Sequence, residues 1–307
     1  MGAEPTTELV QASFSKLSRF PNLESLKLDF FPGSAPDKNE MYITYYVEIQ
    51  LAFWAALARA PLPRLRTLDI GWMVTYFPRT LQGDDPAAAD PFFSLFRPLT
   101  TLSLSVVSLF QARRLPPEII SFATVVGRIF NAARNLTTLE LGAGALLGLT
   151  SPFPFAHMRL PALAALTLHM IVFAGLSDDD LASADPASLT DDTGTASHRL
   201  DVETFILNHA PTLQRLALHD CAVALPDGEW HRVLRRFRFR LRELIEFKWS
   251  TNSSQPGENF LYGRVGGELH TYQLQDDNFV FVEDDPEDTA ELQDLQSAVM
   301  DRKNRMS

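Results

Sequence analysis

The hydrophobic positions of this chain recur in one figure, leucine-x-x-leucine-x-leucine, set between polar or small residues. Copies begin at Leu23 (with Leu26, Leu28), Leu65 (Leu68, Ile70), Leu99 (Leu102, Leu104) and Leu136 (Leu139, Leu141). Two more begin at Leu163 (Leu166, Leu168) and Leu213 (Leu216, Leu218), and Leu241 with Leu244 makes an imperfect seventh. With the first leucine as position 1, the apolar places are 1, 4 and 6, and the last pair has the two-residue period of a strand with one buried face. The series continues at position 9 with Phe31, Met73, Val107, Ile171, Cys221 and Trp249, and Gly144 in that place in one copy. That spacing predicts a turn back into the interior after each strand. Pro21, Pro63, Pro161 and Pro211 stand two residues before the first leucine, where a fixed φ disfavours helix and marks the strand start. One copy cannot bury its leucines alone, but stacked neighbours can, so seven copies predict a parallel sheet backed by helices or loops. An ordinary α/β sandwich would not need the proline to recur.

The connecting stretches carry helical periodicity. Residues 41–59 place Tyr42, Tyr45, Tyr46, Ile49, Phe53 and Leu57 on one stripe, and residues 117–133, led by Pro116 and Pro117, do so with Ile119, Phe122, Val126, Ile129 and Phe130. Further helices are expected over 198–209 and 228–239. First leucines lie 42, 34, 37, 27, 50 and 28 residues apart, mostly beyond the ~20–29 residues of a minimal leucine-rich unit, so long helices or insertions fill the intervals. The Asp-, Ser- and Thr-rich stretch 177–197 reads as a mobile insertion, residues 79–91 as a smaller one, and 250–260 as a link. Leu269, Tyr272, Leu274, Phe279, Phe281 and Val282 then suggest a strand pair turned at Asp276–Asn278 that covers the last repeat, followed by an acidic stretch and a short helix. The expected organisation is a lead-in (1–19), an array (20–250), and a cap with an acidic tail (251–307).

Composition narrows function. The formal charge of −11 disfavours general binding to nucleic acid or anionic membranes. Cys221 is the sole cysteine, which excludes an internal disulfide and a cysteine-rich metal site. No apolar window reaches about 18 uninterrupted positions, and the first residues lack the basic and apolar regions of a secretory signal. An intracellular protein, cytoplasmic or nuclear, is expected. Gly142, Gly144 and Gly148 imitate a dinucleotide fingerprint, but the third glycine is one place late and no P-loop Lys-Ser/Thr follows. No cofactor is expected.

Where Pro211-Thr-Leu-Gln-Arg-Leu-Ala-Leu-His-Asp-Cys221 meets Trp230-His-Arg-Val-Leu, the chain resembles leucine-rich-repeat proteins, and more narrowly the repeat region of filamentous-fungal F-box proteins. The resemblance covers roughly residues 20–250. It implies an α/β leucine-rich-repeat solenoid, a horseshoe with irregular long repeats, whose function is to recognise a protein partner as the substrate-binding part of a ubiquitin-ligase receptor. No F-box-like helical block precedes Leu23, so no residue is assigned to the ligase adaptor.

Candidate partner-binding residues follow from the register. Lys27, Asp69, Ser103, Glu140, Thr167 and Ala217 lie between the buried leucines and face outward. Just beyond the strands stand Phe30, Trp72, His169, Met170, His219, Asp220 and Lys248, and the large apolar ones are candidate anchors. His169 and His219 occupy the same repeat position, yet no third ligand completes a metal or acid–base set. Asp178–Asp180 lacks the alternation of a calcium loop. A second candidate is the basic run Arg232, Arg235, Arg236, Arg238, Arg240 and Arg242, which could meet nucleic acid or an acidic peptide, or pair internally with the carboxylates of 276–294. The alternatives to recognition are a purely structural repeat protein and an enzyme whose site the sequence does not reveal. No catalytic residue is assigned.

Overall fold

The leucine figure becomes a strand wherever it is described. The computed structural model describes residues 7–30, 40–60, 62–74, 76–78, 92–107, 119–143, 153, 155, 158–173, 195–225, 228–252, 260–264, 279–281 and 285–306. Strands β1 (Ser25–Asp29), β2 (Thr67–Val74), β4 (Thr101–Val107), β6 (Thr138–Ala143), β7 (Ala165–His169), β9 (Arg215–His219) and β11 (Glu246–Ser250) form one seven-stranded sheet. They lie side by side in chain order, and each neighbouring pair is parallel. Position 4 is one row through the sheet (Leu26, Leu68, Leu102, Leu139, Leu166, Leu216, Phe247), and position 6 is another (Leu28, Ile70, Leu104, Leu141, Leu168, Leu218, Trp249). The result is a mixed α/β fold of parallel sheets with interspersed helices.

The recurring proline has a local cause. In five copies the N–H of the first leucine donates to the carbonyl three residues earlier: Leu23 to Phe20 (3.0 Å), Leu65 to Leu62 (3.1 Å), Leu99 to Phe96 (3.2 Å), Leu136 to Ala133 (3.1 Å) and Leu163 to Leu160 (3.0 Å). Proline at the second place of such a turn already has the required φ. The residue opening the turn is itself apolar, a second buried series that the leucine figure alone does not announce: Leu62, Phe96, Ala133, Leu160 and Leu241 are all buried.

That series corrects the last copy. Leu244 donates to Leu241 (3.2 Å), and Phe247 and Trp249 pair with Leu216 and Leu218. Leu241 therefore opens the turn and Leu244 is position 1, three residues later than the sequence suggests. Trp249 occupies position 6 rather than 9 and packs on Trp230 and Phe260, at 4.7 and 5.4 Å between ring centroids.

Helices α2 (Glu40–Arg59), α3 (Phe122–Ala132), α4 (Thr195–Asn208) and α5 (Trp230–Arg240) follow α1 (Thr7–Phe14) and a 3-10 turn (Ser15–Arg19). Phe53, Trp54 and Leu57 on α2, Val126, Ile129 and Phe130 on α3, Val202, Phe205 and Ile206 on α4, and Val233, Leu234 and Phe237 on α5 join the strand leucines in one core. The helix expected from residue 117 begins at Phe122, because β5 (Ile119–Ser121) pairs antiparallel with β3 (Tyr76–Pro78). Such a distant partner leaves no local periodic signal.

A second sheet runs β13 (Phe279–Phe281), β12 (Leu261–Arg264), β10 (Ala222–Leu225), β8 (Val172–Phe173). Phe279–Phe281 is a strand as expected, but its described antiparallel partner is Leu261–Gly263, upstream of Leu269–Leu274. The residues at 79–91, 177–194, 253–259 and 265–278 that the sequence reads as insertions, link, strand and turn lie outside the described set, as do Phe31 and Gly144–Gly148. The expected short terminal helix is the 21-residue α6 (Pro286–Met306). No helix among the described residues is long and apolar enough to cross a membrane.

Candidate binding face

Positions 3, 5 and 7 of each strand turn away from the core, giving the open side of the sheet three columns. The central column reads Lys27, Asp69, Ser103, Glu140, Thr167, Ala217, Lys248. Lys248 belongs here, opposite Ala217, and not beyond a strand end; the shifted last copy moves it. The column at position 7 reads Asp29, Gly71, Ser105, Gly142, His169, His219, Ser250, with a bulge where Gly71 and Trp72 interrupt the pairing to β4.

Charge is distributed in pairs across this face. Lys27 Nζ lies 2.6 Å from Asp69, and that hydrogen bond raises the lysine pKa. Lys248 Nζ lies 2.8 Å from Glu246, whose pKa it lowers. Both pairs are solvent-screened and contribute little to stability.

Fifty residues apart in sequence, His169 and His219 stack with ring centroids 4.6 Å apart and planes 18° from parallel. Parallel in-register strands place the same repeat position side by side, which is why they meet. His169 Nε2 lies 3.1 Å from Glu140 Oε1, and this contact lowers the Glu140 pKa. His219 Nδ1 lies 2.6 Å from Ser250 Oγ. Burial, and then the neighbouring His169, lowers the His219 pKa. The row Glu140–His169–His219–Ser250 thus crosses four strands. Sequence reasoning found its histidines; it missed Ser250 because the seventh copy was misframed. Among the described residues no group of three or more His, Cys, Asp or Glu is placed to hold a metal ion.

Beyond the row, Trp72, Met170 and Asp220 share position 8 and a left-handed backbone, with φ of 55°, 57° and 51°. That conformation is strained for a side chain bearing Cβ. Its consequence is visible one residue later, where Met73, Ile171 and Cys221 point into the core. The expected inward turn is therefore made by a single left-handed residue. Among the described residues of the third copy no left-handed residue occurs, and Val106, not Val107, pairs with Met73 and is buried. Burial pushes the Cys221 thiol up to about 12, leaving it unreactive.

Trp72 and Met170 remain partly exposed at the rim of the face. Asp220 accepts from Asn252 N–H at 2.6 Å, tying the rim to the chain after β11. Phe30 does not behave as an outward anchor: its ring meets Phe53 edge-on at 5.5 Å and packs against the core.

The six arginines of α5 and its end divide. Arg232 pairs with Glu229 (2.7 Å), Arg235 with Glu291 (2.8 Å), Arg236 with Glu203, and Arg238 with Glu291 (3.3 Å) and Asp294. Arg240 and Arg242 are exposed, and no ion pair to either occurs among the described residues. Two of the carboxylates come from α6, which also buries Asp288; Tyr262 Oη and the His231 N–H (2.6 Å) donate to that carboxylate. Burial raises the Asp288 pKa. Arg302 completes the dock by donating to the Leu241 and Arg238 carbonyls at 2.8 and 2.7 Å, acceptors at the end of α5.

No family model matches this chain, and no curated protein matches it.

Proposed function

We propose that this chain is a leucine-rich-repeat array, curved as a horseshoe, whose open sheet face recognises another protein inside the cell without catalysing a reaction. One observation carries the reading: three outward columns across seven parallel strands form a continuous face, and the described residues of its central column are exposed or half-exposed. On β4 its outward side chains are short (Thr101, Ser103, Ser105), Glu140 stands beside them on β6, and larger groups lie toward the rim (Trp72, Met170, His169, His219), which suits a protruding partner segment held by a few anchors. The resemblance to fungal F-box repeat regions extends the proposal to partner selection for ubiquitination.

The test is affinity purification with mass spectrometry, comparing the wild type with Trp72→Ser/His219→Glu, a variant checked for unchanged circular dichroism. The expected outcome is a defined set of proteins whose recovery falls at least about tenfold in the variant, the weight of one to two interface anchors. Equal recovery from both proteins overturns the assignment of the face. The ligase adaptor and cullin in the purified set support the ubiquitination part; other partners without that machinery overturn it.

A further inference from the structure

We propose that the β1 edge of the main sheet is a self-association surface whose occupant is a second copy of this chain. The two ends of the sheet differ. At the β11 end, α6 packs alongside and buries Leu295 and Val299. At the β1 end, no strand among the described residues pairs with β1 on its outer side. The core positions there are correspondingly open. Leucines at positions 1, 4 and 6 of the complete inner copies are 0–2% exposed, whereas Leu23, Leu26 and Leu28 are only partly buried. Phe20, which opens the first turn, is 55% exposed; its counterparts Leu62, Phe96, Ala133, Leu160 and Leu241 are at most 5% exposed.

Backbone parity makes this edge a pairing edge. In each later strand the position-3 N–H reaches back to the preceding strand, as Thr67 does to Glu24 and Thr101 to Arg66, both at 3.0 Å. The same parity in β1 directs the main-chain groups of Ser25, Lys27 and Asp29 outward. Such a strand accepts another by edge pairing.

Self-complementarity chooses the occupant and the register. An antiparallel pair of β1 strands with its two-fold axis at Leu28 sets Lys27, which also holds Asp69 of its own chain, opposite Asp29 of the second copy, twice. On the core side it sets Leu28 opposite Leu28, and Leu26 opposite Phe30. Centring on Lys27 or on Asp29 would oppose like charges, which destabilises a cross-strand pair. A head-to-tail stack would have to seat β1 of a second copy at the β11 end, against which α6 packs. The interface is therefore isologous and closes at two copies, joining two seven-stranded sheets into one.

Sedimentation velocity on the full chain over a wide concentration range tests this. The expected result is a concentration-dependent rise from 34.4 kDa to twice that mass. Asp29→Lys and Lys27→Asp should each self-associate at least about tenfold more weakly, because each opposes like charges. Mixed one to one, they should form a heterodimer, since one edge is then all lysine and the other all aspartate. A second measurement does not depend on those variants: Leu28→Cys should cross-link to a covalent dimer on oxidation. A non-hydrogen-bonded antiparallel pair brings Cα atoms to about 4.5 Å, within disulfide reach, and buried Cys221 does not compete. A wild type that stays at 34.4 kDa throughout, charge variants that dimerise as the wild type does, or no cross-link would each overturn the proposal.

Discussion

At the scale of single residues, His209 shows how a polar group enters this core on fixed terms. It is buried, its Nδ1 lies 2.7 Å from the Phe205 carbonyl, and its Nε2 lies 3.1 Å from the Leu160 amide nitrogen. Nδ1 must carry the proton and Nε2 must accept, so the ring is neutral. Burial first, and nearby Arg159 as a minor cause, depress its pKa below the ordinary 6.5. The unfolded chain then binds a proton below about pH 6.5 that the folded chain refuses. Stability from this group is complete above that pH and declines as pH falls toward the folded value, by at most about 1.4 kcal/mol per pH unit. Urea midpoints of wild type and His209→Gln from pH 7.5 to 5.5 should show a steeper acid loss for the wild type. Parallel curves would mean that His209 is not held neutral. The left-handed Trp72, Met170 and Asp220 make a complementary point: one strained residue per copy decides where three core side chains point.

At the scale of elements, charge joins helices that apolar patterning leaves unmarked. Glu203 on α4 is 2% exposed and meets Arg236 on α5 through two contacts, one of them 3.1 Å. Removing one member of a buried pair strands the other charge, at about 3–5 kcal/mol, whereas replacing both by apolar residues is nearly neutral. Arg236→Ala should therefore lower unfolding stability by about 3 kcal/mol. Glu203→Leu/Arg236→Met should recover most of it in the same urea titration, and an equally unstable double variant would contradict the account. The same physics explains what the sequence concealed. Helix α6 reads as an acidic tail because part of its buried face is Asp288 and Glu291, whose partners lie on α5 and β12. Strand β5 was invisible because its partner β3 is remote. The strand ladder was legible, since buried leucines with strand period leave no other solution. The last frame was not: Leu241 and Leu244 are spaced like positions 1 and 4, and also like the turn-opening residue and position 1. That ambiguity hid Ser250 and displaced Lys248, while the stacked histidines could be found from their shared repeat position.

At the scale of the whole molecule, stability should vary along the sheet, because each strand is buried only by its neighbours. Leu166, at position 4 of the interior strand β7, is 1% exposed between Leu139 and Leu216. Leu26 occupies the same position in β1, with a strand neighbour on one side only among the described residues and part of its surface in solvent. Leu166→Ala should lower stability by about 3–5 kcal/mol, as for a fully enclosed leucine, and Leu26→Ala by about 1 kcal/mol. Amide hydrogen exchange of the wild type should follow the same order: β1 opens locally, while β6, β7 and β9 exchange only through larger unfolding. Concentration separates this gradient from self-association. In dilute monomer the Lys27 amide, on the outer edge of β1, exchanges fast, and it slows in concentrated protein as a second copy pairs with that edge. The β7 amides are enclosed in either state and keep one rate. A Lys27 rate indifferent to concentration would leave the stability gradient standing and remove the paired edge.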